Sequence, residues 1–150
     1  MKINKTLLFF SKLFFSFGLL LFALSFTPNF LLEFQARLVG SVLNLFSYSV
    51  VQAKTLFFNG ISFEFVPECT GFTLIALLAS LYYATNLKFD KRFWFYSLFL
   101  FLFNIFRIVV TLLLSQLLSF DVVHFSFYFV DSLVVFFIWK HEFDKVVSRD

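Results

Sequence analysis

The sequence has 150 residues, of which 61% are hydrophobic, 24% aromatic and only 14% charged. This composition excludes a soluble globular protein and indicates a single-domain integral membrane protein whose surroundings are the lipid bilayer. The formal net charge is +3, but the basic residues lie in short clusters beside apolar runs, so the charge does not indicate a nucleic-acid partner.

The first apolar run covers residues 7–26 and predicts a transmembrane helix. Lys2 and Lys5 precede it, and Lys12 can extend its side chain to the same membrane interface. A cleaved signal peptide also has basic residues before an apolar core. We favour a retained helix, because the run is long for a signal core and residues 24–26 (LSF) form a poor cleavage site.

Residues 30–52 keep an apolar background, but polar side chains recur there every three or four positions. They are Glu33, Arg37, Ser41, Asn44 and Tyr48. This spacing places them on one helical face and predicts an amphipathic helix. Such a helix is better suited to lie along the membrane interface, or to cover a site, than to cross alone.

Residues 54–66 predict a β-hairpin. Two runs of apolar and polar residues flank Asn59-Gly60, and this dipeptide favours a type I′ turn because both central positions need a positive φ. An open sheet edge cannot face lipid, so the hairpin is expected on the outer membrane surface or against protein, and it would deliver Cys69 to that surface.

Three further apolar runs, at about residues 70–85, 93–118 and 122–139, bring the number of predicted spans to four. Nine basic residues would then lie on one side: Lys2, Lys5, Lys12, Lys88, Lys91, Arg92, Lys140, Lys145 and Arg149. Only Arg37 and Lys54 would lie on the other side. The nine are expected in the cytoplasm, with both termini, while Cys69 faces outside.

The predicted fold class is therefore an all-α polytopic membrane protein. It has about four transmembrane helices, one amphipathic interfacial helix and a short β-hairpin on the outer face.

Cys69, the only cysteine, lies in residues 67–71 (PECTG), directly before the second span. Unpaired backbone N–H groups and the helix dipole at such a position favour the thiolate, so Cys69 is a candidate nucleophile. A buried small hydrophobe or an acylation site remains the alternative.

Arg107 lies inside the third predicted span, where an uncompensated guanidinium costs about 2.5 to more than 10 kcal/mol. Asn104 lies one turn earlier and can share its hydrogen-bond network. His124 opens the fourth span, and Asp131 follows about 10 Å along that helix, too far for a direct bond to the imidazole. Cys69, His124 and Arg107 can supply a nucleophile, a proton-transfer group and oxyanion stabilisation, with Asp131 orienting part of the cluster.

Two alternatives remain open. Arg107 and Asp131 can instead form a structural ion pair in a non-enzymatic assembly or transport subunit. A metal hydrolase is disfavoured, because one cysteine and two histidines on opposite membrane sides do not make a typical zinc site. No metal or other cofactor is expected.

Three short motifs, in order and on the expected membrane side, resemble those of the exosortase/archaeosortase family. They are Glu68-Cys69-Thr70-Gly71, Asn104-Ile105-Phe106-Arg107 and His124. The resemblance covers about residues 55–140 and is that of a short, core-only member. It implies a membrane-embedded cysteine protease or transpeptidase with Cys69 as nucleophile, His124 as acid/base partner and Arg107 as transition-state stabiliser, supported by Thr70 and Gly71.

The resemblance also implies the substrate class. Substrates would be secreted proteins whose C-terminal sorting signal combines a short motif, a transmembrane helix and a basic end. Cleavage through a thioester intermediate would be followed by transfer to an amine or to water, and the enzyme would lie in the cytoplasmic membrane with its active site facing outwards.

Overall fold

The computed structural model describes residues 5–148, which form five helices, a 3₁₀ turn and a small sheet. In chain order the elements are α1 (Lys5–Leu24), α2 (Asn29–Leu43), β1 (Ser49–Gln52), β2 (Thr55–Phe58), β3 (Ile61–Glu64), the 3₁₀ turn (Pro67–Thr70), α3 (Phe72–Ala84), α4 (Lys91–Leu114) and α5 (Phe120–Val147).

Within residues 5–148, three helices are long and apolar enough to cross a membrane: α1, α4 and α5. This finding supports a helical membrane protein, and it agrees with three of the four predicted spans on length and composition. The remaining one, α3, has 13 residues and is only ~20 Å long, against the ~30 Å of a hydrocarbon core.

The prediction of one helix over residues 30–52 is wrong in its second half. Helix α2 ends at Leu43, and residues 49–52 form β1. The carboxamide oxygen of Asn44 accepts hydrogen bonds from the backbone N–H of Ser49 at 2.6 Å and from its hydroxyl at 3.0 Å, which turns the chain. Tyr48 therefore does not belong to the polar helical face.

The hairpin prediction is confirmed, and a third strand extends it. Strands β2 and β3 pair antiparallel, with Phe58 opposite Ile61. The two-residue turn between them has φ of 47° at Asn59 and 81° at Gly60, as a type I′ turn requires. Strand β1 pairs with the other edge of β2, so the sheet has the order β1-β2-β3.

The inner face of the sheet packs against α2 and the C-terminal half of α4. The buried cluster formed there consists of Leu32, Ala36, Val39, Leu43, Leu56, Phe58, Phe65, Cys69, Ile105, Ile108, Val109 and Leu112. The sheet therefore caps the end of the bundle at which α4 finishes.

The opposite end of the bundle carries a polar network. Glu142 on α5 accepts hydrogen bonds from Arg92 at 3.2 Å, Tyr96 at 2.9 Å and Lys145 at 3.2 Å. Lys12 on α1 donates to Asn86 at 3.1 Å in the turn between α3 and α4. Basic residues from the N-terminal run, the turn before α4 and the end of α5 thus lie at one end of the molecule. Of the nine predicted on this side, Lys2 and Arg149 lie outside the described residues.

Candidate functional site

The position of Cys69 along the bundle is set by a close contact between Gly71 and Asn104. Gly71 has φ of 76°, and a Cβ atom added to it would lie 2.8 Å from the Cβ of Asn104. Asn104 is 13 residues after the start of α4 at Lys91, which is ~20 Å along the helix axis. Helix α3 is short because it begins at this depth.

This contact places Cys69 beside the middle part of α4. The same contact sets the height of Cys69 relative to Arg107 along α4. Arg107 follows Asn104 by one turn of α4, so it lies only ~4.5 Å further along the helix axis. The thiol and the guanidinium belong to the same layer of the bundle.

The backbone of Cys69 is held on both sides of its side chain. Its carbonyl oxygen accepts hydrogen bonds from Asn104 Nδ2 at 2.6 Å and from Gln35 Nε2 at 2.7 Å, and its N–H donates to the Val66 carbonyl at 2.8 Å. Asn104 was expected to share a network with Arg107, but its amide instead fixes Cys69. Helices α2 and α4 therefore both fix the cysteine.

Thr70 stabilises the same turn from within. Its hydroxyl donates to the Pro67 carbonyl at 2.6 Å and accepts from the Phe72 N–H at 3.3 Å. The hydroxyl thus supports the 3₁₀ turn and satisfies one of the first N–H groups of α3, which would otherwise have no partner within the helix.

Cys69 is 7% exposed, and burial raises the pKa of its thiol above the ordinary value. A hydrogen bond with the Val66 backbone and the positive charge of Arg107 oppose this rise but do not cancel it. The sequence predicted the opposite, because it placed Cys69 directly at a helix N-terminus. The α-helix begins only at Phe72, after the left-handed turn at Gly71, so desolvation is the larger effect.

Arg107 and Asp131 form a buried ion pair, with 3% and 1% of their surfaces exposed. The guanidinium also lies over the ring of Tyr128, 5.5 Å from its centroid. This is the ion pair that the sequence offered as an alternative to catalysis. Arg107 Nε and Asp131 Oδ1 have no hydrogen-bond partner among residues 5–148, so the pair does not use all of its polar atoms.

His124 is half-buried near the start of α5, and within residues 5–148 no hydrogen bond or ion pair joins it to Asp131. Its Nε2 lies 3.1 Å from the hydroxyl of Tyr128, and its ring stacks on Phe120 at a centroid distance of 5.2 Å. Tyr128 therefore connects the imidazole with the guanidinium. The sequence analysis missed Tyr128, although it lies four residues after His124 and three before Asp131, on the same face of one helix.

Arg107 and His124 line one narrow cleft, together with Phe63, Ile108, Thr111 and Leu112. The cleft has no space for a water-sized sphere, and Phe63 from β3 forms part of its wall. No hydrogen bond joins the Cys69 side chain to His124 or Arg107 in the described part of the chain. The structure thus brings two of the three predicted catalytic side chains together and places the third within electrostatic range of Arg107.

Gln35 is the other site residue that the sequence analysis missed. It is 1% exposed and lies among the apolar residues of the buried face of α2, away from the polar face that the spacing predicted. A polar residue on an apolar helical face requires a buried hydrogen-bond partner, and this requirement was the available signal.

The chemistry of the site follows from its own side chains. Across residues 5–148, no three His, Cys, Asp or Glu side chains are grouped closely enough to hold a metal ion. The arrangement offers a thiol, a guanidinium and an imidazole, which suit acyl transfer. No protein-family model, curated protein or solved structure matches this chain.

Proposed function

We propose that the protein is a membrane-embedded cysteine protease or transpeptidase of the exosortase/archaeosortase type. It would cleave the C-terminal sorting signal of secreted proteins through a thioester intermediate. The observation that carries the proposal is the pair of amides, from Gln35 on α2 and Asn104 on α4, that hold the Cys69 carbonyl at the depth of Arg107. Two buried side chains from separate helices thus fix the backbone that carries the thiol.

In this reaction each of the three side chains has one role. The Cys69 thiol transfers its proton to His124, and Sγ attacks the scissile carbonyl, whose oxygen becomes negative next to Arg107. His124 then gives the proton to the leaving amine, which breaks the peptide bond and leaves a thioester. An incoming amine or water attacks the thioester, releases the product and returns a proton to the sulfur.

The substrate must open the site before this chemistry can begin. The cleft that contains Arg107 and His124 is closed to water, and His124 Nε2 is occupied by Tyr128. We expect Phe63 to move, because it belongs to a four-residue strand, whereas the other wall residues lie on α4 and α5. Its displacement by the substrate would join the thiol to the cleft and free the imidazole.

The membrane arrangement is part of the same proposal. Helix α3, although short, would cross the membrane, with the 3₁₀ turn and the sheet on its outer side, which gives four crossings. The basic end of the bundle would lie in the cytoplasm with both termini, and the sheet and Cys69 would open towards the outside of the cytoplasmic membrane.

The buried Arg107–Asp131 pair favours a second candidate function, a non-enzymatic assembly or transport subunit locked by that pair. Removing one partner leaves a buried charge unpaired and lowers the free energy of unfolding by about 3–5 kcal/mol, whereas replacing both partners with apolar residues is often tolerated. The double variant Arg107→Leu/Asp131→Leu is therefore the informative one. A folded double variant that leaves substrates uncut supports catalysis by Arg107, and one with normal processing supports the structural role.

The main test compares wild type with Cys69→Ala in the organism that encodes the protein. Mass spectrometry of the C-termini of membrane and secreted proteins should show substrates with an intact C-terminal transmembrane segment accumulating in the variant. The amounts of the two enzyme forms in the membrane are compared as a control. Full processing by Cys69→Ala would reject the proposal.

A further inference from the structure

Two helical carboxamides at the site each have one polar atom engaged and one free. Gln35 and Asn104 both donate to the Cys69 carbonyl, so their amide nitrogens must face that oxygen. The assignment of nitrogen and oxygen is fixed by this shared acceptor. Gln35 Oε1 and Asn104 Oδ1 are buried and have no hydrogen-bond partner among the described residues.

A groove beside the 3₁₀ turn that contains Cys69 includes the Gln35 side chain in its wall. It has a volume of about 260 Å³ and is lined by Leu31, Phe34, Gln35, Thr70, Phe72 and Phe101. These residues come from α2, the 3₁₀ turn, α3 and α4, so the groove runs between elements that also position the cysteine. Apart from Gln35 and Thr70 its wall is apolar.

We infer that this groove binds the substrate polypeptide beside the scissile bond, and that the entering substrate uncovers Gln35 Oε1, which is buried in the free protein, and donates a backbone N–H to it. The inference rests on the proposed function, and it assigns Gln35 as a substrate-binding residue. The apolar wall takes a hydrophobic substrate side chain.

The chemistry of the free oxygen determines the occupant. A buried acceptor without a partner costs about 1–3 kcal/mol, so it is satisfied best by a ligand that brings a donor. A lipid acyl chain fits the apolar wall but carries no donor. A peptide offers an N–H at every residue except proline and can fill the rest of the groove with an apolar side chain. Gln35 also donates to the Cys69 carbonyl, so a peptide bound to its oxygen lies close to the backbone of the nucleophilic residue.

The test uses alkylation of Cys69 in the full-length protein in nanodiscs, followed by intact mass. The probe is acetyl-Leu-Leu-Phe chloromethyl ketone, whose methylene carbon forms a bond to Sγ as the carbon–chlorine bond breaks, releasing chloride and a proton. A series of analogues replaces one backbone N–H at a time with an ester oxygen. Iodoacetamide, which lacks a peptide, measures the reactivity of the thiol itself.

In wild type we expect one ester position to slow labelling by about five- to tenfold, relative to the parent peptide, since one buried hydrogen bond is lost. In Gln35→Met the same ester should have no effect, and the preference for the peptide over iodoacetamide should fall by a similar factor. Gln52→Met, at an exposed glutamine of β1, is the matched control and should behave as wild type.

Two results would overturn the inference. One is a wild-type protein in which no ester slows labelling, which would indicate a lipid-filled groove. The other is a Gln35→Met protein that slows peptide and iodoacetamide labelling equally and keeps the ester effect, which would make Gln35 a support for the Cys69 loop only. Neither result depends on natural substrate processing, so failure here and failure of the proposed function are distinguishable.

Discussion

At the scale of single residues, Gly71 is subject to two independent constraints. Its φ of 76° is a conformation that side chains with a Cβ rarely adopt, and the added Cβ would also lie 2.8 Å from Asn104. We expect Gly71→Ala to cost about 1–3 kcal/mol in backbone strain and about 1–3 kcal/mol in overpacking. The Asn104 amide would be pushed from the Cys69 carbonyl. Thermal unfolding of the detergent-solubilised protein, with Cys69 alkylation as a local readout, measures both effects.

Gly18→Ala is the control for that change. Gly18 lies within α1, and nothing approaches within 4 Å of the position its Cβ would take. Alanine is the better helix former, so this variant should keep or raise the unfolding temperature. A Gly71→Ala protein as stable as Gly18→Ala, with unchanged alkylation, would contradict the role of the Gly71–Asn104 contact.

The buried thiol predicts a specific pH dependence. Because burial raises the pKa of Cys69, the rate of alkylation by iodoacetamide should reach half its maximum above about pH 8.5, the ordinary value for cysteine. The unfolded chain loses this proton at lower pH than the folded protein does. The free energy of unfolding should therefore fall as the pH rises from the ordinary pKa through the raised one.

A cysteine placed on the exposed strand position of Gln52, in a Cys69→Ala background, provides the ordinary titration for comparison. If Cys69 titrates at or below the pH of this reference cysteine, the thiol is more hydrated, or more strongly stabilised as thiolate, than the structure indicates. That result would favour the sequence-based expectation of a helix-terminus thiolate.

Residue types and short spacings were enough to identify Cys69, Arg107 and His124 as the polar residues that need an explanation. They were also enough to predict an Arg107–Asp131 ion pair as the alternative to catalysis. They did not identify Gln35, because its partner is the Cys69 carbonyl 34 residues away. Every residue has a backbone carbonyl, so the sequence does not show which one a buried side chain will bind. The roles of these residues in catalysis stay predictions.

At the scale of elements, Gly40 controls how closely α2 approaches the sheet. A Cβ added there would lie 2.6 Å from Val51 Cγ2 and 3.2 Å from Leu56 Cδ1. Gly40→Ala gains up to about 1 kcal/mol in helix propensity, but overpacking costs about 1–3 kcal/mol. We expect a net loss of stability in the wild-type background, measured as a lower unfolding temperature.

A double-mutant cycle with Val51→Ala tests this account. Val51→Ala removes the Cγ2 atom, and the remaining neighbours are the flexible end of Leu56 and Ser49 Oγ, which at 3.6 Å is in ordinary contact. Gly40→Ala should then be neutral or stabilising, which gives a coupling energy of about 1 kcal/mol or more. The same loss of stability in both backgrounds would show that α2 and β1 do not meet in this way.

The elements differ in how far the sequence could define them. The Asn59-Gly60 hairpin is set by local turn chemistry and was predicted with its turn type. The strand over residues 49–52 was missed, because its partner β2 and the Asn44 side chain, rather than its own period, end the helix before it. The depth at which α3 begins depends on the Gly71–Asn104 contact between two helices, which no local pattern contains.

At the scale of the whole molecule, the apolar surface and the two polar ends define how the helix bundle is oriented in a membrane. Helix α1 has no buried residue, and its outer face exposes Phe14, Phe15 and Phe22. Such a surface requires lipid. The sheet lies at one end of the bundle, with the 115–119 loop, and the basic turn after α3 lies at the other. Composition and loop charge predicted this separation, whereas the number of crossings depends on the short helix α3.

The number of crossings can be measured with two reporter cysteines in a Cys69→Ala background. Lys88→Cys lies in the exposed turn between α3 and α4, and Gln116→Cys in the exposed loop between α4 and α5. If α3 crosses, a membrane-impermeant maleimide should label Gln116→Cys in intact cells, and Lys88→Cys only after permeabilisation. If α3 does not cross, the two positions exchange their accessibility, because every later segment changes side. The positive-inside rule favours the first outcome, since the second would expose Lys88, Lys91 and Arg92 outside the cytoplasm. The exchanged pattern would therefore reject both the four-crossing arrangement and an outward-facing Cys69.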